Sequence, residues 1–114
     1  MAERHSAASR KVNETARAAL ASLLLTEFSD PRLELITVTE VRVSKDRSVA
    51  TVLVSSSPGH YDSTLAGLES AKGRLRTLLG HELGWRVTPE LRFVIDTGID
   101  HAQDIDAYFR SEDR

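Results

Sequence analysis

The feature that most narrows the fold is residues 48–56, where β-branched and apolar side chains fill both alternating faces. Val49, Thr51 and Leu53 stand on one face, and Ala50, Val52 and Val54 on the other. A strand that hides both faces belongs in the middle of a sheet. Its neighbours can be read on either side in sequence. Residues 35–44 are rich in β-branched types, with Val41-Arg42-Val43-Ser44 alternating apolar and polar. The alternation slips at Thr39-Glu40, which predicts a bulge. Between the two strands Ser44-Lys45-Asp46-Arg47 reads as a turn, with Asp46 as its local acceptor, so the pair forms an antiparallel hairpin. Residues 85–96 give a third strand, with Leu91, Phe93 and Ile95 on one face.

Helical periodicity covers most of the rest. Over residues 9–28, Val12, Ala16, Ala19, Leu20, Leu23 and Leu24 make one apolar stripe at three- and four-residue spacing. Ser9 or Asn13 is a candidate cap, and Asp30-Pro31 ends the helix because proline cannot continue the hydrogen-bond ladder. After the loop at 55–59, Leu65, Leu68, Leu75, Leu78, Leu79 and Leu83 repeat the pattern up to Gly84. Ala71-Lys72-Gly73 interrupts it, and a glycine there costs about 1 kcal/mol of helix stability against alanine. The expectation is two helices meeting at a kink. The element order is then α-β-β-α-α-β, an α+β fold with a three-stranded sheet and helices on one face.

The 114 residues suit one domain, with residues 1–97 as its body and residues 98–114 as an acidic tail. Net charge is −2, yet it divides unevenly. Residues 96–114 hold six acidic groups and two basic ones, whereas residues 1–95 hold 13 basic and 11 acidic. The body is mildly basic, and local patches rather than the total set a binding field. In the tail, Ile105, Tyr108 and Phe109 have the spacing of a short helical turn. No apolar run at the N-terminus resembles a secretory signal, and none approaches a membrane span, so a soluble cytoplasmic protein is expected.

Catalytic patterns are weak. The chain has no cysteine, which excludes disulfides, a thiol nucleophile and a thiolate metal site. His5, His60, His81 and His101 fall in unrelated segments without metal-ligand spacing. There is no Gly-x-Ser-x-Gly elbow. Asp96, Asp100, Asp104 and Asp106 with His101 could approach a hard cation, but they lack the calcium-loop register and its glycine. Neither a cofactor, a metal nor a small-molecule substrate is expected.

Basic residues carry the functional reading. Lys72, Arg74 and Arg76 crowd around Gly73, where a helix N-terminus would offer N–H groups to a phosphate. Lys45 and Arg47 share the hairpin turn, close to Arg42, and Arg10 and Arg17 lie off the apolar stripe of the first helix. Each group alone is an ordinary solvated charge; their bias to elements that can share one side points to RNA. Tyr61 and Trp85 are the few aromatics placed for stacking, so the expected target is the shape and backbone of folded RNA rather than a splayed single strand.

The order of elements and the helix–Gly–helix joint resemble the type II KH fold. Over about residues 8–97 the chain resembles the ribosome-binding factor A family of bacterial small-subunit assembly factors. The resemblance rests on Asp30-Pro31-Arg32-Leu33, on Thr37-Val38-Thr39-Glu40-Val41-Arg42-Val43-Ser44 and on Asp46. It continues through Ala71-Lys72-Gly73, matching the family's Ala-x-Gly in place of a Gly-x-x-Gly loop, then Leu83-Gly84-Trp85-Arg86 and Thr88-Pro89-Glu90-Leu91-Arg92-Phe93. It implies a monomeric, non-enzymatic factor that binds the free small (30S) subunit and 16S rRNA. Such a factor assists late subunit maturation and rRNA processing, above all in the cold. Arg10, Arg17, Lys45, Arg47, Lys72, Gly73, Arg74 and Arg76 are the candidate RNA-binding residues. The rival expectation is a KH-like module whose main partner is a ribosomal protein or an assembly GTPase.

Overall fold

The computed structural model describes residues 7–97. The acidic tail, with its candidate cation cluster and its predicted helical turn, lies outside the described residues. The elements run α1 (Ala7–Thr26), a 3₁₀ turn (Pro31–Leu33), β1 (Thr37–Val43), β2 (Val49–Ser55), α2 (Tyr61–Leu83) and β3 (Glu90–Ile95). The sheet order is β1-β2-β3, so the doubly apolar strand is central as its sequence requires. β1 pairs antiparallel with β2 through the expected hairpin. β3 lies parallel to β2, because α2 carries the chain back to the start of the sheet.

The slip in β1 is a bulge. Val38 pairs with Val54 and Val41 with Val52, while Glu40 alone faces Leu53, leaving Thr39 as the extra residue. Without it Val38 and Val41, three positions apart, would face opposite sides. With it both join the core.

That core lies on one face of the sheet. Ala16, Leu20 and Leu24 of α1 and Leu68, Ala71, Leu75 and Leu79 of α2 meet Val38, Val41, Ala50, Val52, Val54 and Leu91 of the strands. Leu20, Leu68, Leu75, Leu79 and Leu91 are fully buried, and truncating any one to alanine costs about 2–5 kcal/mol. Asp30-Pro31-Arg32-Leu33 supplies the corner between α1 and β1. The Asp30 carboxylate accepts the Arg32 backbone N–H at 2.9 Å and its guanidinium at 2.7 Å, and Leu33 is buried. The guanidinium and then the backbone N–H hold the Asp30 carboxyl below its ordinary range. Gly67 of α2 presses on this corner: a Cβ there would meet Arg32 Cβ at 2.9 Å.

Two local expectations differ from the structure. The second helix is one continuous run of 23 residues through Gly73, not two helices joined there. Leu68, Ala71, Leu75 and Leu79 keep three- and four-residue spacing across the glycine, and their burial outweighs its propensity cost of about 1 kcal/mol. Nor would a larger residue at 73 disturb packing, since a Cβ there meets nothing within 4 Å. Asn13 is not a cap either. It sits inside α1, and its side-chain Oδ1 accepts the Val43 backbone N–H at 2.9 Å, fastening the helix to the edge strand.

Candidate nucleic-acid interface

The hairpin turn is built by Asp46. Its Oδ1 accepts the Ser48 hydroxyl at 2.7 Å, the Ser48 N–H at 3.0 Å and the Ser44 hydroxyl at 2.9 Å. These donors, Ser48 foremost, hold the carboxyl below its ordinary range, so it stays ionised and occupied within the turn. The Arg47 N–H closes the turn on Ser44 O at 2.8 Å. Arg47 itself has φ of 62°, a left-handed conformation that an arginine adopts at a cost of roughly 1–2 kcal/mol. Glycine or asparagine would satisfy the backbone at lower cost.

That backbone aims the Arg47 guanidinium over Trp85, 4.6 Å from the ring centroid. Trp85 arrives there because α2 ends at Gly84, whose left-handed φ of 65° turns the chain while its N–H bonds Gly80 O. A stacked guanidinium keeps its in-plane donors outward, which suits a phosphate oxygen. Lys45, at the exposed tip of the same turn, has no hydrogen bond or ion pair with a described residue. The hairpin end therefore presents a fixed cation beside one that has no partner among the described residues.

Further basic groups collect at this end. The Asn13–Val43 bond brings the start of α1 beside it, with Arg10 and Lys11 exposed one turn earlier. Arg86, also exposed, follows Trp85. Arg86 carries no pattern in the sequence, because a single charge after a helix has none; only the fold brings it beside Arg10 and Lys11.

The cations around Gly73 behave differently. Arg76 donates to two backbone carbonyls, Thr88 O at 2.8 Å and Pro89 O at 3.1 Å. It ties α2 to the approach of β3. Arg74 points the other way, donating to Glu27 O at 2.6 Å and lying 5.1 Å from the Phe28 ring centroid. Lys72 pairs with Glu69 at 2.8 Å. Gly73 is inside the helix rather than at its start, so no helix N-terminus offers N–H groups to a phosphate there. The three cations do not form one patch. Arg17 is likewise engaged, in a two-pronged pair with Glu14 at 2.6 and 2.8 Å that draws the Glu14 carboxyl below its ordinary range. Among the described residues no three histidine, aspartate or glutamate side chains gather as a metal cage, and no helix is long and apolar enough to cross a membrane.

The fold defines an α+β domain of the type II KH-like class, with a group of cations at the hairpin end of its sheet. The family model described as ribosome-binding factor A matches residues 8–109, and the chain belongs to that family. A ribosome-binding factor A from Salinispora arenicola is 40% identical over 99 residues, spanning 85% of this chain and 64% of that protein. This chain thus spans just under two-thirds of the Salinispora relatives' length. One from Thiobacillus denitrificans is 36% identical over 94 residues, spanning 81% of this chain and 76% of that protein. Among solved structures, the crystal structure of ribosome-binding factor A from Thermus thermophilus aligns with a TM-score of 0.71 and 33% identity, covering 76% of this chain and 93% of that one. A Thermus thermophilus factor fitted into the map of a 30S complex aligns with a TM-score of 0.59 and 35% identity, covering 72% and 88%.

Proposed function

We propose that this protein binds the free small ribosomal subunit and assists its late maturation, including processing of 16S rRNA, as a cytoplasmic monomer without catalytic activity. Family membership supports the ribosomal setting, and the relative fitted into a 30S complex supports the small subunit as target. The observation that carries the mode of binding is the hairpin end. Lys45 has no partner among the described residues, and Arg47 is held in a costly left-handed backbone conformation with its guanidinium over Trp85. Lys45 and Arg47 are the primary phosphate contacts, with Arg10, Lys11 and Arg86 adding to the field. Lys72, Arg74, Arg76 and Arg17 are chiefly structural, and Gly73 leaves an open helix surface.

One observation favours a second reading, in which a ribosomal protein or assembly GTPase is the main partner. Leu25 is 82% exposed and Leu35 91%, the latter at φ 61°, beside a groove lined by Leu24, Phe28 and Ile36. Co-sedimentation with isolated small subunits, large subunits and joined ribosomes separates the two. Binding to free small subunits alone, weakening steeply with salt, is the result expected of phosphate contacts. Binding that resists salt favours the apolar groove, and binding to none of the particles contradicts both.

A further inference from the structure

The end of β1 away from the hairpin turn has the opposite character. Between the last turns of α1 and the start of β1 runs a groove of about 450 Å³, lined by Leu24, Phe28, Leu33, Ile36 and Val38. Leu25 and Leu35 line it as well, and both remain exposed. Leu35 is held there at φ 61°, a conformation that residues other than glycine, asparagine and aspartate rarely adopt. Covering this pair would remove a continuous apolar surface from water.

Charge selects what covers it. Two charged residues line the groove, Arg17 and Glu34. Arg17 is tied to Glu14 through two donors, at 2.6 and 2.8 Å. The Glu34 carboxylate has no hydrogen bond or ion pair with a described residue. α1 ends at this groove with no basic residue in its last turn, so its carbonyl end adds partial negative charge. Arg74, which reaches that helix end, is itself paired with Glu27. The groove is therefore apolar with an acidic rim, whereas the hairpin end is cationic.

We propose that this groove docks a basic, apolar segment of a small-subunit ribosomal protein. Large apolar side chains of that segment lie between Leu25 and Leu35, and a lysine or arginine meets Glu34. The partner's place on the small subunit rests on the function proposed above, while its chemistry rests on the groove. Two rival occupants fail on the same observations. Phosphate meets no unpaired cation there and is repelled by Glu34. A second copy, docked patch to patch about a two-fold axis, sets Glu34 against a patch whose own unpaired charge is Glu34. Protein at one end of β1 and phosphate at the other fix the domain's orientation on the particle.

The first probe is a pair of synthetic amphipathic peptides with identical leucine spacing, one with lysine and one with glutamate at the polar positions. The lysine peptide should shift the amide signals of Leu25, Leu35 and Thr37 in the full chain. It should bind roughly tenfold more tightly than the glutamate peptide. Glu34→Lys should remove that preference, and Leu25→Ser with Leu35→Ser should abolish binding of both peptides. All three side chains are exposed, so circular dichroism should show an unchanged fold. Equal affinity for the two peptides, a preference that survives Glu34→Lys, or shifts centred elsewhere would overturn the inference. The same shifts on concentrating the chain alone would make a second copy the occupant, and would overturn it too. The second probe is the purified small subunit with a benzophenone on Thr37→Cys, a unique attachment point because the chain has no cysteine. Irradiation should join it to a ribosomal protein, and attachment to rRNA alone would overturn the inference. Failure to bind the subunit, with the peptide preference intact, would contradict the proposed function and the partner's ribosomal origin, yet support the groove's choice of basic segments.

Discussion

The hairpin turn and the middle of α2 look alike in sequence, each a short cluster of basic residues beside a turn-forming or helix-weakening residue. In the structure they part. At the turn, Asp46 is occupied by serine donors, Lys45 has no partner among the described residues, and Arg47 lies over Trp85 with no carbonyl of the described residues holding its guanidinium. In α2, Arg76 holds two carbonyls, Arg74 holds a third, and Lys72 is paired. Charge counted along the chain is therefore not charge available to a ligand. A guanidinium that satisfies backbone carbonyls must be withdrawn from them before it can serve a phosphate, and that withdrawal opposes binding.

The largest effect should come from reversing the turn's charge. Lys45→Glu with Arg47→Glu is expected to weaken binding to small subunits tenfold or more, about 1.4 kcal/mol or above, with helix content unchanged by circular dichroism. Near-normal affinity of that variant would break the contrast from one side. Arg76→Ala tests the other side. Removing a charged donor from two carbonyls at a partly exposed site should lower stability by about 1 kcal/mol, and the melting temperature by about 4–8 °C. Its affinity, measured well below the melting temperature, should change little.

Smaller still is Gly73→Ala. Open space around the position predicts a gain of up to about 1 kcal/mol in thermal stability. Unchanged subunit binding would keep α2 off the contact surface, whereas lost binding in a stabilised variant would put RNA against that helix. The smallest effect concerns Asp46. Its carboxyl is depressed by its hydrogen bonds in the folded state, so its contribution to the turn is complete at neutral pH and disappears only in acid, as pH falls through the depressed value. Asp46→Asn should show a weaker acid dependence of hairpin amide exchange than the wild type.

Much of the scaffold was legible in the sequence because it follows from local periodicity. The two-faced strand declared itself central, the slip at Thr39-Glu40 declared the bulge, and Asp46 declared the turn. The third strand begins at Glu90 rather than at Trp85, since Trp85 docks beneath Arg47 and the Thr88 and Pro89 carbonyls are taken by Arg76. What periodicity does not carry is the partner of a long side chain. Arg74 reaches Glu27, 47 positions away, and Asn13 reaches Val43, 30 positions away. No spacing rule distinguishes these from solvated residues. The same limit explains Gly73, where a propensity argument spoke for a break and tertiary burial of the flanking leucines prevailed.

The most direct test of the central claim is the salt dependence of small-subunit binding for the wild type, Lys45→Ala with Arg47→Ala, and Arg74→Ala with Arg76→Ala. Each lost phosphate contact should flatten the slope of log K against log salt by about 0.7–0.9. The account expects that flattening in the hairpin variant, and a wild-type slope in the α2 variant. A flattened slope in the α2 variant, with the hairpin variant unchanged, would contradict it.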